Sequence, residues 1–159
     1  VLLVIPALPD FYARYPDLRL DIGVSDRTVD LAGDSVDCVI RGGKLQDSSL
    51  VARYLGALPF VTCATPAYLA RHAPIDHPAR LEGGHTLVRY FFASAGRMSP
   101  MTFTKGDEHI VARGQYAISV NDSNAHLAAA LAGLGVVQTL TFMAQPHIAT
   151  GALVPILAD

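Results

Sequence analysis

Three short stretches hold residue types that could do chemistry. Gly33-Asp34-Ser35 matches the Gly-Asp-Ser block of some esterases, where a serine nucleophile needs a base within hydrogen-bond reach and an oxyanion hole. In such enzymes the block follows a strand. Here it precedes one, so it reads as a helix C-cap and turn. Arg41-Gly42-Gly43 ends a short apolar run and carries neither the P-loop nor the dinucleotide-binding glycine pattern. Its small residues would let a ligand approach backbone N–H groups at a strand end. Asn121-Asp122-Ser123-Asn124 is a strong helix start. Such a start offers unpaired N–H donors and a partial positive charge, although Asp122 argues against a strongly anionic ligand at that point.

The six histidines, His72, His77, His85, His109, His126 and His147, include no pair at the helical spacing of a zinc site. They read as surface or loop residues, with His126 the exception. It falls in the first turn of the helix after Asn121, where an imidazole could face a cleft. Cys38 and Cys63 each sit inside an apolar, strand-like run and read as buried free thiols. Sequence does not give their separation, so a disulfide stays open. No metal or cofactor is expected from these patterns.

The elements that must position these residues follow from periodicity. Leu8, Phe11, Tyr12 and Tyr15 share one helical face over residues 1–15, and Pro16 ends the helix. Leu18, Leu20, Ile22 and Val24 alternate with polar residues, which predicts a strand over 17–24 with one wet face. A short helix over 27–32 and an apolar strand over 36–40 complete a βαβ unit, placing Arg41–Gly43 at its carboxyl rim. Residues 50–59 should be extended and lead into a strand over 60–64, then a helix capped by Thr65 with Pro66 in its first turn. Strands are expected at 87–92, 101–104, 109–112 and 116–120, then a helix from Asn121 with Leu127, Ala130, Leu131 and Leu134 on one face. A strand at 136–140, a helix at 142–149 capped by Thr141, and a last strand at 153–157 finish the chain.

Composition sets the outer bounds. The 159 residues are 51% hydrophobic and 16% charged, which excludes a disordered chain and favours elements buried on both sides. At this length roughly 70% of the unfolded surface is buried, so no covalent staples are required. A formal charge of −2 provides no general basic footprint for nucleic acid. No apolar run approaches the ~20 residues of a membrane helix. The opening VLLVIPALP lacks a signal-peptide basic region and cleavage site, and the chain, which starts without Met, reads as a fragment whose first element is missing, with a mature secreted protein cut after its signal as the competing reading. Two reduced cysteines fit a cytoplasmic protein better than an exported one.

The succession IPALPDFYARYPDLRLDI, VDLAGDSVDCVIRGG, SSLVARYLGALPFVTCATPAYLARH and VNDSNAHLAAALAGLGVVQ resembles the effector-binding domain of LysR-type transcriptional regulators. The likeness spans nearly the whole chain. Its most specific pieces are LPDFYARYPDLRLDI, VDCVIRGG and LAAALAGLGV. It implies an α/β, two-lobed domain similar to type II periplasmic binding proteins, with mixed sheets, flanking helices and a ligand cleft between lobes. Lobe one would hold 1–59 and 153–159, and lobe two 60–152. By position, Arg41, Gly42, Thr62, Asn121, Asp122, Ser123 and Asn124 would contact a small-molecule effector, such as an organic acid or an aromatic metabolite. The first helix and the helix after Asn121 would pack across a homodimer, or within a tetramer in the full-length protein. The family's N-terminal winged helix-turn-helix and first lobe-one strand are missing from this sequence, so DNA would be reached only through that absent part. The implied protein is a cytoplasmic sensor with no membrane partner and no catalytic activity. The alternative is a periplasmic solute-binding protein of similar fold.

Overall fold

From residue 60 onward, apolar residues come in adjacent pairs, and the pleat sends the two members of a pair to opposite faces. A computed structural model describes residues 2–25, 31, 33–43, 51–93 and 96–158, and there this rule builds the core. Of the pair Cys63-Ala64, Cys63 joins a cluster with Val88, Val137, Ala130, Ala144 and Leu153. Ala64 joins a second cluster with Leu87, Val136, Tyr68, Leu81 and Met101. Leu87-Val88 and Val136-Val137 split the same way.

The chain divides into two compact units, Val1–Val39 and Ile40–Asp159. In the second, β1 (Phe60–Ala64) lies between β7 (Val137–Leu140) and β8 (Val154–Ile156), antiparallel to both. Strand β2 (Thr86–Phe92) pairs in parallel with β6 (Gln115–Val120) and antiparallel with the short β3 (Arg97–Met98). Strands β4 (Met101–Lys105) and β5 (Glu108–Ala112) form a hairpin through Lys105-Gly106-Asp107. The two larger sheets meet where Val88 N–H donates to the Val136 carbonyl and Val136 N–H to the Thr86 carbonyl, both at 2.9 Å. Gly135 permits this approach: a Cβ there would sit 2.3 Å from the Thr86 carbonyl oxygen.

Local chemistry explains the helices. The Thr65 hydroxyl accepts from Tyr68 N–H at 3.2 Å to start α2 (Pro66–Leu69). The Asp122 carboxylate accepts from Ala125 N–H at 2.8 Å to start α3 (Ser123–Leu131), which buries His126, Ala129 and Ala130. Leu134, expected on the apolar face, lies beyond the helix and is exposed. Thr141 is the first residue of α4 (Thr141–Ala149) rather than its cap; Leu140 holds the cap position without a side-chain bond.

The first unit departs further from expectation. Its one α-helix among the described residues, α1 (Leu8–Arg14), keeps the aromatic face: Phe11 meets Tyr12 edge-on at 5.8 Å and Tyr15 at 5.1 Å. Over 17–24 no strand forms with any of the described residues, and Val24 is 76% exposed. The predicted strand over 36–40 is likewise absent, with Val39 and Ile40 exposed. The reason is common to both. A strand exists through its ladder, and no described residue supplies one here. The helix predicted over 27–32 lies almost wholly outside the described residues. Strand 154–156, expected with the first lobe, pairs with Thr62–Ala64 of β1. Among the described residues no helix is long and apolar enough to cross a membrane.

Candidate functional site

A cleft of about 270 Å³ opens on the second unit, at the small end of the ~300–1,000 Å³ usual for ligand sites. Its frame is a single side-chain amide. Gln138 stands opposite Thr62 in the β1–β7 register. It donates from Nε2 to the Thr62 hydroxyl at 3.4 Å and to the Thr102 carbonyl at 3.1 Å, and its Oε1 accepts from Thr102 N–H at 3.3 Å. A primary amide carries the same donor and acceptor as a peptide group. Gln138 therefore pairs with β4 as a strand would and fastens the hairpin beside the sheet.

The carboxyl-terminal half of β2 supplies the opposite side through Arg89 and Tyr90. Arg89 donates from Nη2 to the Ser99 carbonyl at 3.0 Å. Its Nε is shielded from solvent and meets no acceptor among the described residues. The two ion pairs found among those residues, Arg80–Asp76 and His77–Glu108, do not involve it. The Tyr90 hydroxyl donates to the Asn121 carbonyl at 2.8 Å, tying the strand end to the start of α3. Phe60, Pro100 and Met101 add apolar surface.

His126 completes the wall. It is 4% exposed, and its ring meets that of Tyr90 edge-on at 5.9 Å. Nε2 donates to the Val88 carbonyl at 3.0 Å; a carbonyl only accepts, so the proton is on Nε2. Burial lowers the His126 pKa below the usual imidazole value, and the Val88 hydrogen bond opposes that shift in part. The imidazole is therefore a neutral donor held in the wall. Among the described residues the lining includes no aspartate or glutamate.

None of the seven residues expected to contact ligand lines this cleft, but several support it. Thr62 is buried and hydrogen-bonded to Gln138. The Asn121 backbone holds Tyr90, and Asp122 caps the helix that carries His126. Ser123 opens that helix half-buried and Asn124 is exposed. Arg41 and Gly42 are exposed on an irregular stretch. The residues that do line it, Arg89, Gln138 and Thr102 above all, were not singled out from sequence. A signal was present: an arginine in LVRYFF and a glutamine in VVQTL interrupt apolar strands, and such residues are rarely buried without a partner. His126, kept as the one histidine able to face a cleft, does so.

Among the other groups, Ser35 is exposed in a tight turn with positive φ, closed by Val36 N–H to the Leu31 carbonyl at 3.1 Å. That is turn geometry, as read from sequence. Both cysteines are free thiols; Cys63 is buried, and Cys38, expected to be buried, is exposed. Its run 36–40 forms no strand, so no sheet among the described residues covers it.

Comparison with known proteins adds the lineage. Residues 1–159 match the LysR substrate binding domain family. An HTH-type transcriptional repressor of Pseudomonas aeruginosa is 32% identical over 157 residues, covering 98% of this chain and 49% of the repressor. The HTH-type transcriptional regulator YhjC of Escherichia coli is 34% identical over 159 residues, covering 98% and 52%. The chain thus spans about half the length of these relatives. Among solved structures, the regulatory domain of AphB from Vibrio vulnificus superposes with a TM-score of 0.82 at 26% identity, covering 98% of this chain and 77% of that one. CrgA, a LysR-type transcriptional regulator from Neisseria meningitidis, superposes at 0.81 with 29% identity, covering 98% and 52%. These relatives are named as transcriptional regulators, not as solute-binding proteins.

Proposed function

Because the chain belongs to the LysR substrate binding domain family, with the α/β regulatory-domain fold its solved relatives share, we propose that it is the effector-sensing and dimerisation domain of a cytoplasmic DNA-binding regulator. It binds a small metabolite, an organic acid or an aromatic compound. It reaches DNA only through a helix-turn-helix segment of the full protein. In the proposed two-lobed arrangement the lobes divide near residue 59, strand 154–156 joins the second lobe by its pairing with β1, and Arg41, Gly42, Thr62 and Asn121–Asn124 lie towards the effector. Helices α1 and α3 form the dimer contact. No catalytic step is involved.

The observation that carries this proposal is the cleft framed by Gln138, Arg89 and His126. Its polar groups are few and fixed, as in sites that bind without reacting. A ligand that prefers one lobe arrangement shifts the population only by its differential affinity. The test is a thermal-shift screen of the full-length protein against small metabolites, with each hit repeated in a DNA mobility assay. A true effector at ~100 times its Kd should stabilise by about 2.7 kcal/mol and change DNA affinity. If no compound in a broad library did either, the protein would be an effector-independent regulator.

A further inference from the structure

Strands β4 and β5 form a sheet of their own, with no ladder to either larger sheet among the described residues. One side chain, that of Gln138, stands where such a ladder would be. We propose that the hairpin is a hinged flap over the cleft and that the Gln138 amide is its latch. That the flap admits an effector rests on the cleft being the effector site; the latch itself does not.

The two roots of the hairpin are pinned. At the entry, Ser99 N–H donates to the Tyr90 carbonyl at 2.7 Å, and the Ser99 carbonyl accepts from Arg89 at 3.0 Å. At the exit, Arg113 N–H donates to the Glu82 carboxylate at 3.1 Å, and a Cβ on Gly114 would lie 2.5 Å from the Leu81 carbonyl oxygen. Met101 and Ala112, opposite each other in the register, are buried and mark the hinge line. Beyond it, residues 102–111 are exposed or half-buried, with β5 flanking the turn Pro78–Glu82. Met101 and Thr102 face the cleft from this side.

Strand alternation shows what holds the free part. Thr102 turns both its N–H and its carbonyl to Gln138. Phe103 and Ile110 are therefore the neighbouring pair that exchanges hydrogen bonds within the hairpin. The Gln138 bonds to Thr102 measure 3.1 and 3.3 Å and are exposed. They lie on the long side of the usual N–H···O range, and water replaces such bonds at little net cost. The His77–Glu108 contact, at 4.0 Å, is exposed as well. Releasing Gln138 leaves the hairpin's own ladder intact, so the flap swings as one body. An occupant that touches Thr102 makes that contact only while the flap is shut, and it shifts the population towards the latched state by that difference in affinity.

The test is hydrogen–deuterium exchange of the full-length protein at single-residue resolution, without ligand. Gln138→Leu should speed exchange of the Thr102 amide at least roughly tenfold. The Phe103 amide, paired inside the hairpin, should exchange as in the parent. Gln138→Asn keeps the amide on a shorter stem that falls short of Thr102, and it should behave as Gln138→Leu does. A second readout reports access to the cleft. Met101 lines it and Met143 is buried in α4, so hydrogen peroxide should oxidise Met101 roughly fivefold faster in Gln138→Leu and Met143 no faster. Unchanged Thr102 exchange in both variants would overturn the latch. Thr102 and Phe103 accelerating together would show a hairpin that unravels rather than a flap that swings. Met101 at its parental rate, or Met143 rising with it, would equally overturn the proposal. None of these readouts uses a ligand. A failed metabolite screen would therefore remove the effector reading and leave the latch standing, whereas a failed latch would leave the effector reading untouched.

Discussion

Residues 18–24 and strand β2 (86–92) carry comparable apolar content, and the molecule treats them oppositely. In the first, Leu18, Leu20, Ile22 and Val24 lie on a segment that pairs with no described residue, and they remain exposed. In the second, Leu87 and Val88 are almost wholly buried between two apolar clusters, and the backbone is paired on both sides. Alternation assigns side chains to faces, but burial requires a neighbour on each face and each edge. The same contrast separates Gly135, where even a methyl group would collide with Thr86, from Gly42, which has open space around it.

The largest expected effect tests that contrast directly. Leu87→Ala should cost about 2–5 kcal/mol, whereas Leu20→Ala in the 159-residue chain should stay within about 0.5 kcal/mol. Urea unfolding of the two variants measures the difference, and equal losses would mean that 18–24 is packed after all. Next, Gly135→Ala should cost about 1–3 kcal/mol by overpacking, against almost nothing for Gly42→Ala. Asp122→Ala should cost about 1 kcal/mol through the lost cap of α3. A thermal melt in which this variant matched the parent would show that α3 is held by packing alone.

The pH dependence sharpens the same distinction. His85 and His126 are both buried. Burial lowers the pKa of each, and the nearby His72, 5.7 Å from His85 between ring centroids, lowers that of His85 further. A depressed imidazole pKa means the unfolded chain binds more protons. The associated stability is present above the unfolded value near 6.5 and is lost as pH falls from there towards the folded pKa. Urea midpoints should therefore decline between pH 7.5 and 5, and a rise on acidification would contradict the burial of these rings. The smallest effect is chemical. Burial pushes the Cys63 thiol up to about 11, so a thiol reagent at pH 8 should label the exposed Cys38 in the native chain and Cys63 only on unfolding. Two fast thiols would place Cys63 outside the core.

Much of the second unit was legible from residue patterns. Apart from the two-residue β3, which was not foreseen, the strands from 60 to 156 were located to within a residue or two, because each is an apolar run bounded by turn residues, and Thr65 and Asp122 cap as their types predict. The site was less legible. The helix start at Asn121–Asn124 drew attention as a ligand contact, whereas its described bonds hold Tyr90 and cap the helix that carries His126. Gln138 and Arg89 were overlooked because each is one polar residue within an apolar strand. Its meaning depends on what faces it across the fold: Thr102, 36 residues from Gln138, and Ser99, 10 residues from Arg89.

The sequence by itself determined the family, the mixed α/β class, the turn at Gly33-Asp34-Ser35 and the period-two splitting of the core, because each follows from short-range chemistry or from a pattern carried along the chain. Only the tertiary structure decided which apolar segments become strands and where a cleft forms. It also set the Gln138 amide against the Thr102 backbone at that cleft. Those outcomes depend on ladder partners and acceptors that residues distant in sequence either supply or withhold, and a hydrogen bond is specified by both of its ends.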